Sequence, residues 1–175
     1  MIPDSPFTTV KGFFVSSAAW MVVGTLAGFT GAIEMVAPDL LGNIPWLAFG
    51  RIRQVHTNVV MFAFVGSGLL GAIHYLVPTL VRTPLYSEPL GRVCLSLWNL
   101  ALVAGVITLS MGLTQNREYA EMIWPIDMGV LVVLAIIFYN LFQTVRHRKE
   151  NLLYVSVWYI FGGLVFTFQI GRAHV

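Results

Sequence analysis

Charged residues are scarce in this sequence. Lys, Arg, Asp and Glu together make up 10% of its 175 residues, whereas hydrophobic residues make up 57%. Soluble domains carry about 25% charged residues, so this chain has too little polar surface to cover a water-soluble globule. The composition therefore predicts an integral membrane protein, with membrane lipid and no nucleic acid among its partners.

Cysteine is nearly absent as well. Cys94 is the only one, which excludes a disulfide framework and a thiolate metal site. Because Cys94 lies within an apolar run, we expect it to pack as a small hydrophobic residue. The N-terminal residues also lack the charged region, short apolar core and cleavage site of a signal peptide.

Long apolar runs, by contrast, fill the chain. A bilayer needs about 20 apolar residues in a helix that rises 1.5 Å per residue, and several runs approach or exceed that length. We therefore predict an all-α, polytopic membrane helix bundle of about five transmembrane helices. The predicted spans cover approximately residues 13–36, 54–80, 91–114, 126–145 and 152–168.

The distribution of Lys and Arg predicts the orientation of these spans. With the N-terminus inside, six basic residues precede or follow the spans on the inner side and three lie on the outer side, so the positive-inside rule favours a cytoplasmic N-terminus. His56 and the loop that precedes Trp124 then lie at the same, outer, end. His74 lies about 27 Å further along the second span at 1.5 Å per residue, too far to belong to the same site.

The last residues differ from what precedes them. Residues 170–175, IGRAHV, interrupt an apolar run and resemble the read-through translation of a sequencing adapter. We expect residues 1–168 to be one domain and residues 169–175 to be a non-native tail, so His174 is not taken as a ligand. The alternative is a genuine polar C-terminus after a short fifth helix.

His56 is the first candidate for a functional residue. An imidazole near the start of a membrane span needs a partner for its nitrogens, because hydrocarbon offers none. A metal is one such partner, and we predict that His56 is an axial ligand of a haem. The alternative is a core histidine that forms a hydrogen bond with a neighbouring helix. Arg51 and Arg53 favour the ligand, because guanidinium groups pair with carboxylates such as haem propionates.

The outer loop offers a second candidate site. Glu118 and Glu121 are two carboxylates at a spacing of three residues, but a hard cation such as Ca²⁺ needs more oxygen ligands than two. On the sequence alone, solvated loop charge is the default interpretation of these two residues. Asp127, at the start of the fourth span, is explained by its favourable interaction with the helix dipole.

Several motifs together resemble one known family. GRIRQVHTN at residues 50–58, GLTQNREYAE at residues 112–121, and the following Trp124-Pro125 are similar to segments of the catalytic subunit (subunit I) of cbb(3)-type cytochrome c oxidase. RKENLLYVSVW at residues 148–158 resembles the start of that protein's next helix. The resemblance covers nearly all of residues 13–168 and includes the order of the spans.

The resemblance implies a truncated haem-copper oxidase subunit I fold in a bacterial inner membrane. It implies an enzyme that, at full length, transfers electrons from cytochrome c, through haem c-containing subunits, to O₂ with proton translocation. In that family His56 matches an axial ligand of low-spin haem b, and Arg53, with Arg51 nearby, matches the propionate end. Glu118, and less closely Glu121, match a carboxylate associated with Ca²⁺.

The same resemblance implies what this chain would lack. The second ligand of haem b, the ligand of a high-spin haem b and the ligands of CuB come from later helices, so the chain alone is expected to be inactive. A nitric oxide reductase large subunit, with non-haem iron instead of CuB, is one alternative. A non-enzymatic membrane helix bundle, in which His56 is a packing residue, is another.

Overall fold

Five helices form the fold. The structure, a computed structural model, describes residues 7–41, 44–115, 117 and 120–173, with side chains described as far as residue 170. The helices are α1 (Thr8–Val36), α2 (Phe49–Leu80), α3 (Glu88–Ser110), α4 (Trp124–Arg146) and α5 (Val155–Ala173). The described residues contain helices and connections but no strand, which confirms the predicted all-α bundle.

Four of these helices, α1 to α4, are long and apolar enough to cross a membrane. The apolar part of α5, Val155–Ile170, is shorter. The chain is therefore a multi-pass membrane protein by the length and composition of its helices. In the bundle, α1 packs against α2 and α3, α2 also packs against α3 and α4, and α5 packs mainly against α4.

The ends of the helices differ from the approximate ends of the predicted spans, because hydropathy does not detect helix caps. We expected the third span to cover 91–114, but α3 begins at Glu88, where the Ser87 hydroxyl accepts a hydrogen bond from Leu90 N at 3.2 Å. A serine cap of this kind starts a helix before its apolar residues begin. The same helix ends at Ser110, because Gly112 adopts a left-handed φ of 81°, as is typical just after a helix C-terminus.

The other predicted ends also shift. α1 begins five residues before the expected residue 13 and α2 five before residue 54, since both helices extend into the more polar residues that precede their apolar runs. α4 begins at Trp124 with Pro125 in its first turn, a position that favours proline. α5 begins at Val155, three residues after the predicted residue 152.

The residues at the end of the chain do not interrupt α5 as we expected. The helix continues through Gly171 to Ala173, and His174 and Val175 lie outside the described residues. The helical backbone is compatible with either origin of this segment, so the proposed boundary at residue 169 stays a prediction.

Small residues allow the helices to approach closely. A Cβ atom at Gly71 would lie 3.1 Å from Phe13 Cβ, and one at Gly68 would lie 3.2 Å from Ser17 Oγ, both on α1. On the α3 side, Ser67 Oγ accepts a hydrogen bond from Trp98 Nε1 at 2.9 Å. The Gly and Ser run of α2 thus serves helix packing, as expected in membranes. Cys94 is fully buried among hydrophobic residues, as predicted.

One feature of α2 was not predicted. Residues Val59–Gly66 form a π-helical segment between two α-helical parts. Such wide turns are rare and often occur at functional sites. This segment begins directly after Asn58, so it adjoins the residues that the sequence selects as a site.

Candidate functional site

The imidazole of His56 lies against α1. Its Nδ1 is 2.8 Å from the carbonyl oxygen of Gly24, and a carbonyl can only accept, so Nδ1 carries the proton. In a neutral imidazole the lone pair is then on Nε2. The ring is half-buried and lies beside Gly28, where an added Cβ would be 2.6 Å from His56 Cε1. A glycine at position 28 is therefore required by the position of the ring.

This arrangement is the one that a metal-ligating histidine uses. Such residues donate one ring N–H to a carbonyl or carboxylate, which fixes the tautomer and orients the other nitrogen toward the metal. Both interpretations of His56, as a haem ligand and as a core histidine, are thus compatible with the Gly24 contact. Helix packing explains the hydrogen bond that Nδ1 forms with α1. In the part of the chain that the structure describes, Nε2 forms no hydrogen bond with a neighbouring helix.

The two arginines that precede His56 lie in different surroundings. Arg51 Nη1 donates to the carbonyl oxygen of Ser110 at 3.2 Å, at the C-terminal end of α3, where a cation is favoured by the helix dipole. Arg53 is more than half exposed, and its Nη2 lies 3.9 Å from Glu121 Oε1. A guanidinium has five N–H donors, so each arginine can bind a further anion.

Glu121 is buried, unlike an ordinary loop carboxylate. It is 5% exposed, and its Oε2 accepts a hydrogen bond from Asn58 Nδ2. A buried carboxylate needs hydrogen bonds or a cation to offset its desolvation. Asn58 supplies a hydrogen bond, and Arg53 supplies the cation. The expectation that His56, Arg53 and the outer loop lie at the same end of the bundle is therefore confirmed for Glu121.

Asn58 connects the parts of this cluster. Its Nδ2 also donates to the carbonyl oxygen of Gln54 at 2.9 Å, while its Oδ1 is buried and without a hydrogen-bond partner in the part of the chain that the structure describes. The sequence alone assigns no role to Asn58. Its position two residues after His56, as a polar residue directly before an apolar run, is the signal that could have singled it out.

The rest of the outer loop is held by Gln115. Its side-chain amide donates to the carbonyl oxygen of Met122 and to Asp127 Oδ2, the latter at 2.7 Å. Asp127 therefore has a side-chain partner in addition to the dipole of α4. Glu118, the other predicted carboxylate, lies outside the described residues.

Two expectations concern residues that do not join this site. His74 contacts Phe13 of α1, whereas His56 contacts Gly24. These positions on α1 are eleven residues, or about 16 Å, apart at 1.5 Å per residue, so the exclusion of His74 from the His56 site is confirmed. Across residues 7–41, 44–115, 117 and 120–173, no group of three or more His, Cys, Asp or Glu could hold a metal ion.

The chain is similar to known proteins over most of its length. The sequence profile described as "Cytochrome C and Quinol oxidase polypeptide I" matches residues 8–170. The chain is 34% identical over 164 residues to the cbb3-type cytochrome c oxidase subunit CcoN1 of Stutzerimonas stutzeri, which covers 94% of this chain and 34% of that protein. It is 34% identical over 167 residues to the cytochrome c oxidase subunit 1 homolog of Agrobacterium tumefaciens, which covers 95% of this chain and 30% of that protein.

A similar match is found with cytochrome c oxidase subunit 1 of Rhodobacter capsulatus, at 31% identity over 170 residues, or 95% of this chain and 31% of that protein. The chain thus spans about a third of the length of the curated relatives it matches. Because the family profile matches almost the whole chain, from the first turn of α1 into α5, the chain belongs to the cytochrome c and quinol oxidase polypeptide I family.

Proposed function

We propose that this chain supplies one axial ligand, His56, to a low-spin haem b in the catalytic subunit of a cbb3-type terminal oxidase. The observation that supports the proposal is the hydrogen bond from His56 Nδ1 to Gly24 O, which leaves the lone pair on Nε2. A low-spin haem has two axial ligands, and this segment would supply one of them. The lack of a larger metal-ligand cluster among the described residues is therefore compatible with the proposal.

The neighbouring residues have roles that follow from their charge. Arg53 and Arg51 lie three and five residues before His56 on the same helix, and we propose that they bind the haem propionates. Arg53 would then lie between the propionates and the buried carboxylate of Glu121. When bound, haem b supplies reversible one-electron transfer, and these side chains orient it and balance its charge.

A calcium ion beside Glu121 is a further part of the proposal. The carboxylate of Glu121 and the unpartnered Oδ1 of Asn58 are two oxygen ligands in one buried place. Ca²⁺ takes six to eight oxygens, so Glu118, propionate oxygens and water would have to provide the others.

The whole protein's activity is proposed from the family. In the assembled enzyme, electrons would arrive from cytochrome c through haem c-containing subunits and reduce O₂, with proton translocation across a bacterial inner membrane. The second ligand of haem b, a high-spin haem b and CuB would be held by segments that the curated relatives have beyond the matched third of their length.

Replacement of His56 tests the assignment in the assembled oxidase complex. The change His56→Ala should remove the low-spin b-type bands from the reduced-minus-oxidised spectrum, because the iron loses one of its two axial ligands. The matched control is His147→Ala, which removes an exposed histidine at the end of α4 and should leave the spectrum unchanged. Low-spin bands of normal intensity in the His56→Ala complex would refute the assignment.

A further inference from the structure

The π-helical segment Val59–Gly66 divides α2 into two parts, and both parts face α1. In the first part, the His56 ring lies against Gly28, where an added Cβ would be 2.6 Å from Cε1. In the second part, a Cβ added at Gly68 would lie 3.2 Å from Ser17 Oγ. His56 and Gly68 therefore lie on one face of α2, although twelve residues separate them.

A uniform α-helix would not place these two residues on one face. An α-helix turns by about 100° per residue, so twelve residues bring His56 and Gly68 about 120° apart around the axis. In a π-helical turn each hydrogen bond runs from residue i to i+5 and spans one residue more than in an α-helix. One added residue takes up about 100° and reduces the angle to about 20°. The segment is therefore what allows both parts of α2 to face α1.

The direction of Asn58 depends on the same rotation. Asn58 follows His56 by two residues, so the two side chains point about 200° apart on one short helical piece. His56 Nδ1 donates to Gly24 O of α1 at 2.8 Å, while Asn58 Nδ2 donates to Glu121 Oε2 in the outer loop. A turn of this piece about its axis would break both hydrogen bonds at once.

Two neighbouring helices hold the second half of the π-helical segment. The carbonyl oxygen of Phe64 accepts a hydrogen bond from Ser17 Oγ of α1 at 2.8 Å, as well as from Ser67 N. On the α3 side, Trp98 Nε1 donates to Ser67 Oγ at 2.9 Å, and a Cβ added at Gly66 would lie 3.2 Å from the Trp98 ring. In a membrane, backbone groups at local π turns are satisfied by such contacts with Ser or Thr side chains and neighbouring helices.

We propose that the π-helical segment positions the haem ligand, with Ser17 and Trp98 as the residues that hold the segment in place. The extra residue turns the first part of α2 so that His56 meets α1 and Asn58 meets the outer loop, while the second part keeps its own packing on α1 and α3. This inference rests on the proposed role of His56. Ser17 and Trp98 are positioning residues, because they act through the direction in which the His56 ring points.

Two cysteine pairs report the two parts of α2 separately, and neither depends on haem. The first pair is Gly31→Cys with Ile52→Cys, because a Cβ added at Gly31 would lie 3.5 Å from Ile52 Cγ2. The second pair is Phe13→Cys with Gly71→Cys, where the added Cβ would lie 3.1 Å from Phe13 Cβ. A disulfide joins Cβ atoms about 3.5–4.5 Å apart. Both pairs should therefore cross-link on oxidation of the assembled oxidase in its membrane, as measured by mass spectrometry of the linked peptides.

Deletion of Met61, a residue that is 48% exposed, removes the extra residue from the segment. The second part of α2 should stay in place, because α1 and α3 both hold it, so the second pair should still cross-link. The first pair should fall at least tenfold, and the low-spin haem bands should be lost. An Ala inserted after Phe64 in the same variant restores the number of residues and should restore both signals. A first pair that cross-links normally without Met61, or that the inserted Ala does not restore, would overturn the proposal.

Ser17→Ala decides the question if the deletion abolishes both pairs by unfolding the bundle. It removes only the side-chain hydrogen bond to Phe64 O, and its matched control is Thr25→Ala, because Thr25 Oγ1 donates to Met21 O of its own helix. Ser17→Ala should weaken the first pair and the haem bands at least twofold, and Thr25→Ala should change neither. Equal behaviour of the two variants would overturn the proposal. Cross-links that change as expected beside normal haem bands would instead refute His56 as the ligand and leave the role of the segment in orienting α2 intact.

Discussion

Two glycines on α1, Gly24 and Gly28, decide where the His56 ring can lie. They are four residues apart and so lie on the same face of the helix. Gly24 provides the carbonyl that accepts from Nδ1, and Gly28 leaves the space that the ring fills. The sequence predicts that His56 needs a partner, but it cannot predict which carbonyl that is, since the pairing depends on the register between α1 and α2.

Gly28→Ala tests this fit at the residue scale. The added methyl group would lie 2.6 Å from His56 Cε1, so the ring must move and the hydrogen bond to Gly24 must weaken. Overpacking of this kind destabilises a protein by about 1–3 kcal/mol, against a gain of about 1 kcal/mol in helix propensity. We expect lower stability in detergent unfolding and weaker low-spin haem bands in the assembled oxidase.

Gly129→Ala is the matched control for that change. Gly129 is also inside a membrane-spanning helix, but nothing lies within 4 Å of its added Cβ. The helix-propensity gain should therefore be the main effect, and stability should stay equal or rise. If Gly28→Ala behaves like Gly129→Ala, the close fit between His56 and α1 is not important for stability.

At the scale of helices, a polar cluster joins α1 to α3. Asn99 Oδ1 accepts hydrogen bonds from Ser16 Oγ at 2.6 Å and from Trp20 Nε1 at 2.8 Å. One amide oxygen thus satisfies two donors on the neighbouring helix. Hydrogen bonds between membrane helices contribute about 0.6 kcal/mol on average and up to about 1.7 kcal/mol, so this pair is a specific contact between otherwise apolar surfaces.

Asn99→Leu should weaken the contact between these two helices. The change removes both acceptor contacts and leaves the Ser16 and Trp20 donors unpaired, so we expect a loss of about 1–3 kcal/mol in the free energy of unfolding measured in mixed micelles. The control is Ser96→Ala, because the Ser96 hydroxyl donates only to its own helix, at Arg92 O. Equal stability of Asn99→Leu and Ser96→Ala would show that the cluster does not join the helices.

The elements also show what hydropathy can and cannot predict. The existence of four long spans follows from apolar length, but their ends depend on local contacts such as the Ser87 cap and the left-handed Gly112. The π-helical segment Val59–Gly66 has no signal in apolar periodicity. The grouping of Arg53 with Glu121 could be predicted, because topology alone places the start of α2 and the loop before α4 at the same end of the bundle. The Asn58–Glu121 hydrogen bond depends on side-chain positions that topology does not determine.

For the whole molecule, charge distribution predicts an orientation that the helices alone do not determine. A cytoplasmic N-terminus would place the connection between α1 and α2 outside and the connection between α4 and α5 inside. Both contain exposed residues, Leu40 at 70% and Leu152 at 83% exposure. Cys94 is fully buried, so it should not react with a polar thiol reagent and need not be replaced.

Cysteine labelling in oriented membrane vesicles measures this orientation directly. A membrane-impermeant maleimide should modify Leu40→Cys in right-side-out vesicles and Leu152→Cys in inverted vesicles, because each thiol faces the reagent in only one of them. The unsubstituted chain, with Cys94 alone, should remain unlabelled in both preparations until detergent and denaturant are added. The opposite pattern would place the His56 and Glu121 cluster on the cytoplasmic side, and it would contradict the orientation that the charge distribution predicts.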